Sequence, residues 1–201
     1  MTRAEPDTLP RPAVSAGGND AAAIERSWRD PNRFAEVFDR HYDDIHGYVA
    51  RRLGDSLADD LAAETFLVAF DRRRRYDLAY RTARPWLYGI AANLVARHRR
   101  AELRRYRALA RAAATEAVDG HGERANGRID AGALRGRLAA ALLEVEDRDR
   151  EVLLLVAWAQ LSCEEAARAL GIPAGTARSR LHRARRRTRA ALADVDLGDG
   201  S

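Results

Sequence analysis

Leu161-Ser-Cys-Glu-Glu-Ala-Ala-Arg-Ala-Leu-Gly-Ile-Pro-Ala-Gly-Thr-Ala-Arg-Ser-Arg-Leu-His-Arg-Ala-Arg-Arg-Arg187 reads as two short helices joined by a turn. Ser162 with Glu165 three residues on is a capping box that starts the first helix. Gly171 supplies the turn, and Pro173 suits the first turn of the second helix. In that second helix Ala177, Leu181 and Ala184 recur at i, i+4 and i+7, so they share one face. Arg178, Ser179, His182, Arg183 and Arg186 fall opposite. A helix pair of this kind, apolar inside and arginine-rich outside, is the layout of a helix-turn-helix that sets its second helix in the DNA major groove.

The charge map extends this reading. The chain has 201 residues, a net charge of +5 and 35 basic side chains, all of them Arg. Residues 72–107 hold 12 Arg against 2 acids, and residues 174–192 hold 7 Arg and no acid. The remainder is strongly acidic. Two separate cationic blocks in an acidic background are the footprint of two nucleic-acid contacts.

Other classes lose support. No apolar run reaches the length of a membrane span, and the N-terminus has no basic-then-apolar secretory pattern, so a cytoplasmic, nucleoid-associated protein is expected. The single Cys163 excludes an internal disulfide or a multi-Cys zinc site. The His residues form no H-x-x-x-H pair, and no Gly-rich phosphate loop is present. No catalytic group, metal or cofactor is expected.

Working outward, residues 1–29 carry Pro, Gly and Asp without apolar periodicity and read as a disordered tail. Asp30-Pro31 opens a helix with the stripe Phe34, Val37, Phe38, Tyr42, Ile45, Tyr48, Val49 and Leu53, stopped by Gly54. A second helix over 57–70 turns Asp59, Asp60 and Glu64 to solvent. Residues 71–84 read as a loop. Pro85 then opens a third helix, with Trp86, Ile90 and Leu94 on its apolar face, that runs basic to Arg107. Residues 111–133 turn Gly-rich and read as a linker. Helices resume near Leu134, a buried helix covers 149–158, and residues 194–201 form an acidic tail. The expected fold is all-α: two small helical domains, 30–110 and 134–193, on a flexible linker, with the helix-turn-helix in the second.

At this point the residues resemble a known family. Phe34-Ala-Glu-Val-Phe-Asp-Arg-His-Tyr-Asp-Asp-Ile45, Arg52-Leu-Gly-Asp55, Asp60-Leu-Ala-Ala-Glu-Thr-Phe-Leu67 and Pro85-Trp-Leu-Tyr-Gly-Ile-Ala-Ala-Asn93 precede Asp149-Arg-Glu-Val-Leu-Leu-Leu155 and the helix-turn-helix. In this order they resemble an extracytoplasmic-function sigma factor of bacterial RNA polymerase, the minimal type with regions 2 and 4. The resemblance implies that Asp59, Asp60 and Glu64 face the β′ clamp helices of core polymerase, which the chain joins together with the β subunit. An exposed acidic patch on a basic protein fits a protein partner, since phosphate would repel it. It implies that the 71–84 loop and the next helix recognise and open the −10 element. There Tyr76 and Tyr80 are candidates for base stacking, Asn93 for a polar base or sugar contact, and Arg97 and Arg100 for phosphate; packing inside the loop is the other reading of the two tyrosines, and Trp86 is assigned to packing.

The second domain resembles the region that reads the −35 element. Arg178 and Arg183 can each present a two-point donor to guanine, Ser179 and His182 can touch base edges or phosphate, and Thr176 at the helix start suits a phosphate oxygen. Arg186 suits phosphate. An anti-sigma factor is a further implied partner. The chain departs from the family pattern at Ala63, where Gln is usual, at Cys163, in place of an aromatic, and at Ala167, in place of Ile. The residues leave one alternative open: a helix-turn-helix regulator whose N-terminal half binds a ligand or dimerises.

Overall fold

The computed structural model describes residues 19–116, 141, 142 and 144–196. All regular structure in them is helical: α1 (Asp20–Arg26), α2 (Ala35–Leu53), α3 (Ala58–Arg72), α4 (Arg84–Glu116), α5 (Asp147–Ala157), α6 (Cys163–Leu170) and α7 (Ala174–Asp196). Short 3-10 turns at Pro31–Phe34, Asp55–Leu57 and Arg73–Arg75 join the first three and lead out of α3.

The expected tail of 1–29 gives way to structure at Asn19. Asn19 caps α1 by accepting from the Ala22 amide at 3.3 Å, and Ala21, Ala23 and Ile24 are buried. Three apolar side chains are too few to register as periodicity, yet they suffice to seat a helix of two turns on its neighbours. Asp30 caps the 3-10 turn that leads into α2. Gly54 ends α2 at φ 87°, a conformation that strains any residue with a Cβ. The start of the expected linker, 111–116, continues α4 as helix. Residues 117–140, which include the rest of the linker and the expected helix start at Leu134, lie outside the described residues, as do 1–18 and 197–201, while the first residues of the expected acidic tail, 194–196, continue α7 as helix.

In the first half α2, α3 and α4 form a three-helix unit with Val37, Ile45, Tyr48, Val49, Ala62, Phe66, Leu87, Ala91 and Val95 at its centre. In the second, α5, α6 and α7 close around Val152, Leu155, Leu161, Ala166, Ala177 and Leu181. The two halves share one continuous core, so the Gly-rich stretch separates them along the chain but not in space.

Two devices make the join. Arg52 on α2, almost wholly buried, donates to both carboxylate oxygens of Glu151 on α5, at 2.9 and 2.8 Å, and Tyr48 donates to the same carboxylate at 2.9 Å. α6 also lies directly on α4: a Cβ at Gly89 would fall within contact distance of the Ala169 carbonyl oxygen and 3.1 Å from its carbon. Glycine here permits two backbones to touch.

Candidate nucleic-acid and polymerase interface

The helix-turn-helix forms as its residues dictate. The Glu165 amide donates to Ser162 Oγ at 3.1 Å, and the Ser162 amide donates to the Glu165 carboxylate at 2.8 Å. Gly171 adopts the left-handed conformation (φ 62°, ψ 36°), and the Ile172 amide closes back on the Ala167 carbonyl at 3.0 Å. Ala177, Leu181 and Ala184 are buried, while Arg178, Ser179, His182, Arg183 and Arg186 are exposed and Thr176 is half-buried. Ala167 is buried and Cys163 half-buried, so both departures from the family pattern are accommodated as small packing residues.

The arginines on this face are not equivalent. Arg183 makes a two-point ion pair with Asp149, Nε and one Nη each at 2.8 Å. The Asp149 side chain is buried, and the Arg183 hydrogen bond, opposed by burial, holds its carboxyl below the usual carboxylate value. Arg178 has only a loose pair with Glu164 at 3.2 Å, both side chains more than half exposed. A pair that exposed is worth little and gives way readily to a phosphate or a base.

The second cationic surface gathers on α4 and the residues before it. A cavity of about 410 Å³ is lined by Tyr80, Trp86 and Asn93, with Arg72 and Arg75 at its edge. Tyr80 and Asn93 are exposed and Trp86 half-buried. Tyr76 sits differently. Its ring is buried against Trp86, centroids 5.0 Å apart, and its hydroxyl lies 2.7 Å from the Tyr80 carbonyl and 2.9 Å from that of Thr82. Burial pushes this hydroxyl's pKa up. Tyr76 therefore builds the loop from within, and of the two rings Tyr80 is the exposed one. Trp86, expected only to pack, both packs and forms the cavity wall. Arg97 is exposed and paired with Glu64 at 2.8 Å, and Arg100 is exposed.

Part of the second half lies over this cavity. The Arg168 guanidinium of α6 stacks 4.1 Å above the Tyr80 ring, and Ala169 completes the lining.

The third surface is on α3. Asp59 and Asp60 are exposed, and Glu64 is half-buried beside Arg97. Ala63 is exposed among them. The acidic residues flank an apolar patch that sequence reasoning missed: Leu67 is 66% exposed and Phe38 38%, with Phe38, Tyr42 and Phe66 in mutual ring contact. A signal was available for Phe38, since the α2 stripe is a wide one of eight apolar residues, and Phe38 is the one of them left exposed.

Among the described residues no helix is long and apolar enough to cross a membrane, and no group of His, Cys, Asp and Glu could hold a metal ion.

Comparison with known proteins accounts for the pattern. Residues 37–105 match the family model described as Sigma-70 region 2, and residues 135–188 the one described as Sigma-70, region 4. The chain is 31% identical over 173 residues to the ECF RNA polymerase sigma factor SigW of Bacillus subtilis (strain 168), spanning 83% of this chain and 92% of that protein. It is 33% identical to the RNA polymerase sigma factor CarQ of Myxococcus xanthus, spanning 82% and 91%. Among solved structures, the fold is similar to CnrH in complex with the cytosolic domain of CnrY (TM-score 0.61, 24% identity, 90% and 99% covered). It is also similar to RpoE in complex with the anti-sigma factor NepR from Bartonella quintana (TM-score 0.55, 19% identity, 81% and 98% covered). The alternative of a helix-turn-helix regulator acting apart from polymerase is not favoured. Two sigma-factor regions in order and relatives matched over nine tenths of their length lead to one conclusion: the chain belongs to the ECF RNA polymerase sigma factors, and it is an alternative sigma factor that directs transcription initiation.

Proposed function

We propose that the three surfaces divide the work of initiation. The acidic and apolar patch of Asp59, Asp60, Glu64, Phe38 and Leu67 docks on the β′ clamp helices of core polymerase, with further contacts to the β subunit. Carboxylates supply complementarity and orientation, and Leu67 supplies apolar area that water disfavours. The cavity of Tyr80, Trp86 and Asn93 takes an unpaired base of the −10 element, the rings stacking and the amide reading an edge. Arg72, Arg75, Arg97 and Arg100 hold the strand. On α7, Arg178 reads a guanine at −35, Ser179 and His182 touch neighbouring edges, and Thr176 and Arg186 hold phosphate. Arg183, given to Asp149, fixes the tilt of α7 instead of reading a base. The chain makes no bonds itself; polymerase does, in the cytoplasm at the nucleoid.

The observation that carries this reading is the split of α7, with its apolar stripe buried and its arginine face open. Geometry adds a requirement. The −10 and −35 elements lie about 25 base pairs apart, or about 85 Å at 3.4 Å per pair. Two halves in contact cannot reach both. Residues 117–140 span at most about 80 Å when extended, enough together with the helical domains to cover the distance once the halves part. We infer that the closed arrangement is the form an anti-sigma factor holds, and that core polymerase opens it.

Run-off transcription with purified core polymerase tests the assignment. Promoter-dependent transcripts are expected, and Asp60→Ala with Glu64→Ala and Leu67→Ala are expected to lower core affinity at least tenfold. DNA binding by the C-terminal half should stay unchanged. Core affinity that survives all three substitutions would move the docking surface elsewhere.

A further inference from the structure

The short helix α1 carries no charge block and no motif, yet its two ends grip the two ends of one loop. At its N-terminus the Asp20 and Ala21 amides reach the Arg81 carbonyl at 2.9 and 3.4 Å. The Asp20 carboxylate, buried, accepts from the Ala83 amide at 2.7 Å, lies 2.8 Å from His41 Nε2 and pairs with Arg40. At its C-terminal end the Trp28 indole N–H donates to the Arg73 carbonyl at 3.3 Å, while Arg74 and Arg73 donate to the Trp28 and Ser27 carbonyls at 3.2 and 3.4 Å. Arg73 begins the segment that carries Tyr76 and Tyr80, and Ala83 ends it at the mouth of α4.

Burial alone would raise the Asp20 carboxyl; His41, the Ala83 amide and Arg40 outweigh burial and hold it below its ordinary value. A buried carboxylate that joins α1 to α2 and to the last residue of the loop is a junction, since removing it would leave the Ala83 amide, the His41 imidazole and the Arg40 guanidinium without their shared partner. Behind it Ala23 and Ile24 anchor α1 in the core. Seven helical residues measure about 10 Å, so α1 is a short strut lying across the base of the loop.

We propose that α1 is a brace for residues 73–83, and that Asp20 and Trp28 are positioning residues that set where Tyr80 stands against Trp86 and Asn93. This rests on the reading of that loop as the −10 reader. A loop held at both ends meets an unpaired base already ordered, which raises discrimination without any contact from α1 to DNA.

The test uses the full chain reconstituted with core polymerase and a duplex library randomised at the −10 positions. Asp20→Asn and Trp28→Phe are compared with Tyr80→Ala. Both brace variants should bind core as the parent does and keep their −35 preference. They should exchange backbone amides of 79–84 at least tenfold faster and lose about fivefold in −10 discrimination. Trp28→Phe removes the indole N–H and trims a half-buried ring without disturbing a buried charge, so it answers even if Asp20→Asn fails to fold. Unchanged exchange across 79–84 in a folded variant overturns the brace. Equal losses in core binding and −35 preference also overturn it, because the effect would then be general unfolding. If Tyr80→Ala leaves −10 preference intact while the brace variants quicken exchange, the loop's DNA role falls and the brace stands.

Discussion

Arg183 on α7 and Asp149 in the first turn of α5 form a two-point ion pair, both contacts at 2.8 Å, with the carboxylate buried and the guanidinium at the surface. The pair ties the recognition helix to the helix that opens the second half. It also separates two arginines that look alike in the sequence.

The pair has a pH signature. The carboxyl of Asp149 is lowered in the folded chain, first by the Arg183 hydrogen bond. A depressed carboxylate contributes stability above its unfolded value, about 3.9, and loses it as pH falls through the folded value. Acid unfolding followed by circular dichroism should show this loss below about pH 4. Asp149→Asn should be less stable than the parent at pH 7 and show a shallower decline on acidification. A parallel pH profile would remove the pair from the account.

Arg178 should behave as a reader. Arg178→Ala is expected to lose about 1–3 kcal/mol at one base position of the −35 element and to relax the preference there. Arg183→Ala should lower the melting temperature and weaken DNA binding evenly across sequences. Binding to a −35 library, measured for both, checks the distinction; a position-specific loss in Arg183→Ala would return it to base reading.

Glu151→Ala should part the halves. It leaves Arg52, whose side chain is 3% exposed, with only the Tyr48 hydroxyl in place of a carboxylate. Breaking one side of a buried pair costs about 3–5 kcal/mol. Small-angle scattering should show a larger radius of gyration for the variant, with each half still helical. An unchanged radius would mean that apolar contact alone holds the closed form.

Gly89→Ala attacks the same join from the other side. The new Cβ meets the Ala169 backbone, which cannot rotate away as a side chain would. α6 should lift from α4, freeing Tyr80 from Arg168. Free Gly89→Ala protein is then expected to bind single-stranded DNA carrying the −10 element at least tenfold more tightly than the parent, measured by fluorescence anisotropy. Equal affinity would show that the closed form does not restrict the cavity.

The legible parts of the molecule are those made by near neighbours in the chain. The capping box of Ser162 and Glu165, the Gly171 turn, the stripe of Ala177, Leu181 and Ala184 and the exposure of Asp59 and Asp60 all follow from spacing, because helix geometry places residues three and four apart on one face. The family resemblance rested on the same local words in order. Tyr76 and Tyr80 show where this stops: four residues apart in one loop, they differ because Trp86 and two carbonyls close around only one of them.

Taken alone, the sequence determined an all-helical chain, two cationic blocks, an acidic helix ahead of them and the arginine face of α7. Tertiary structure decided which of these groups are free. Asp20 meets Ala83, Arg52 meets Glu151, Gly89 meets Ala169 and Arg183 meets Asp149 across 34 to 99 residues. Local periodicity sets which way a side chain faces, but its partner depends on how whole helices pack. A charge that reads as available along the chain can therefore be spent inside the fold.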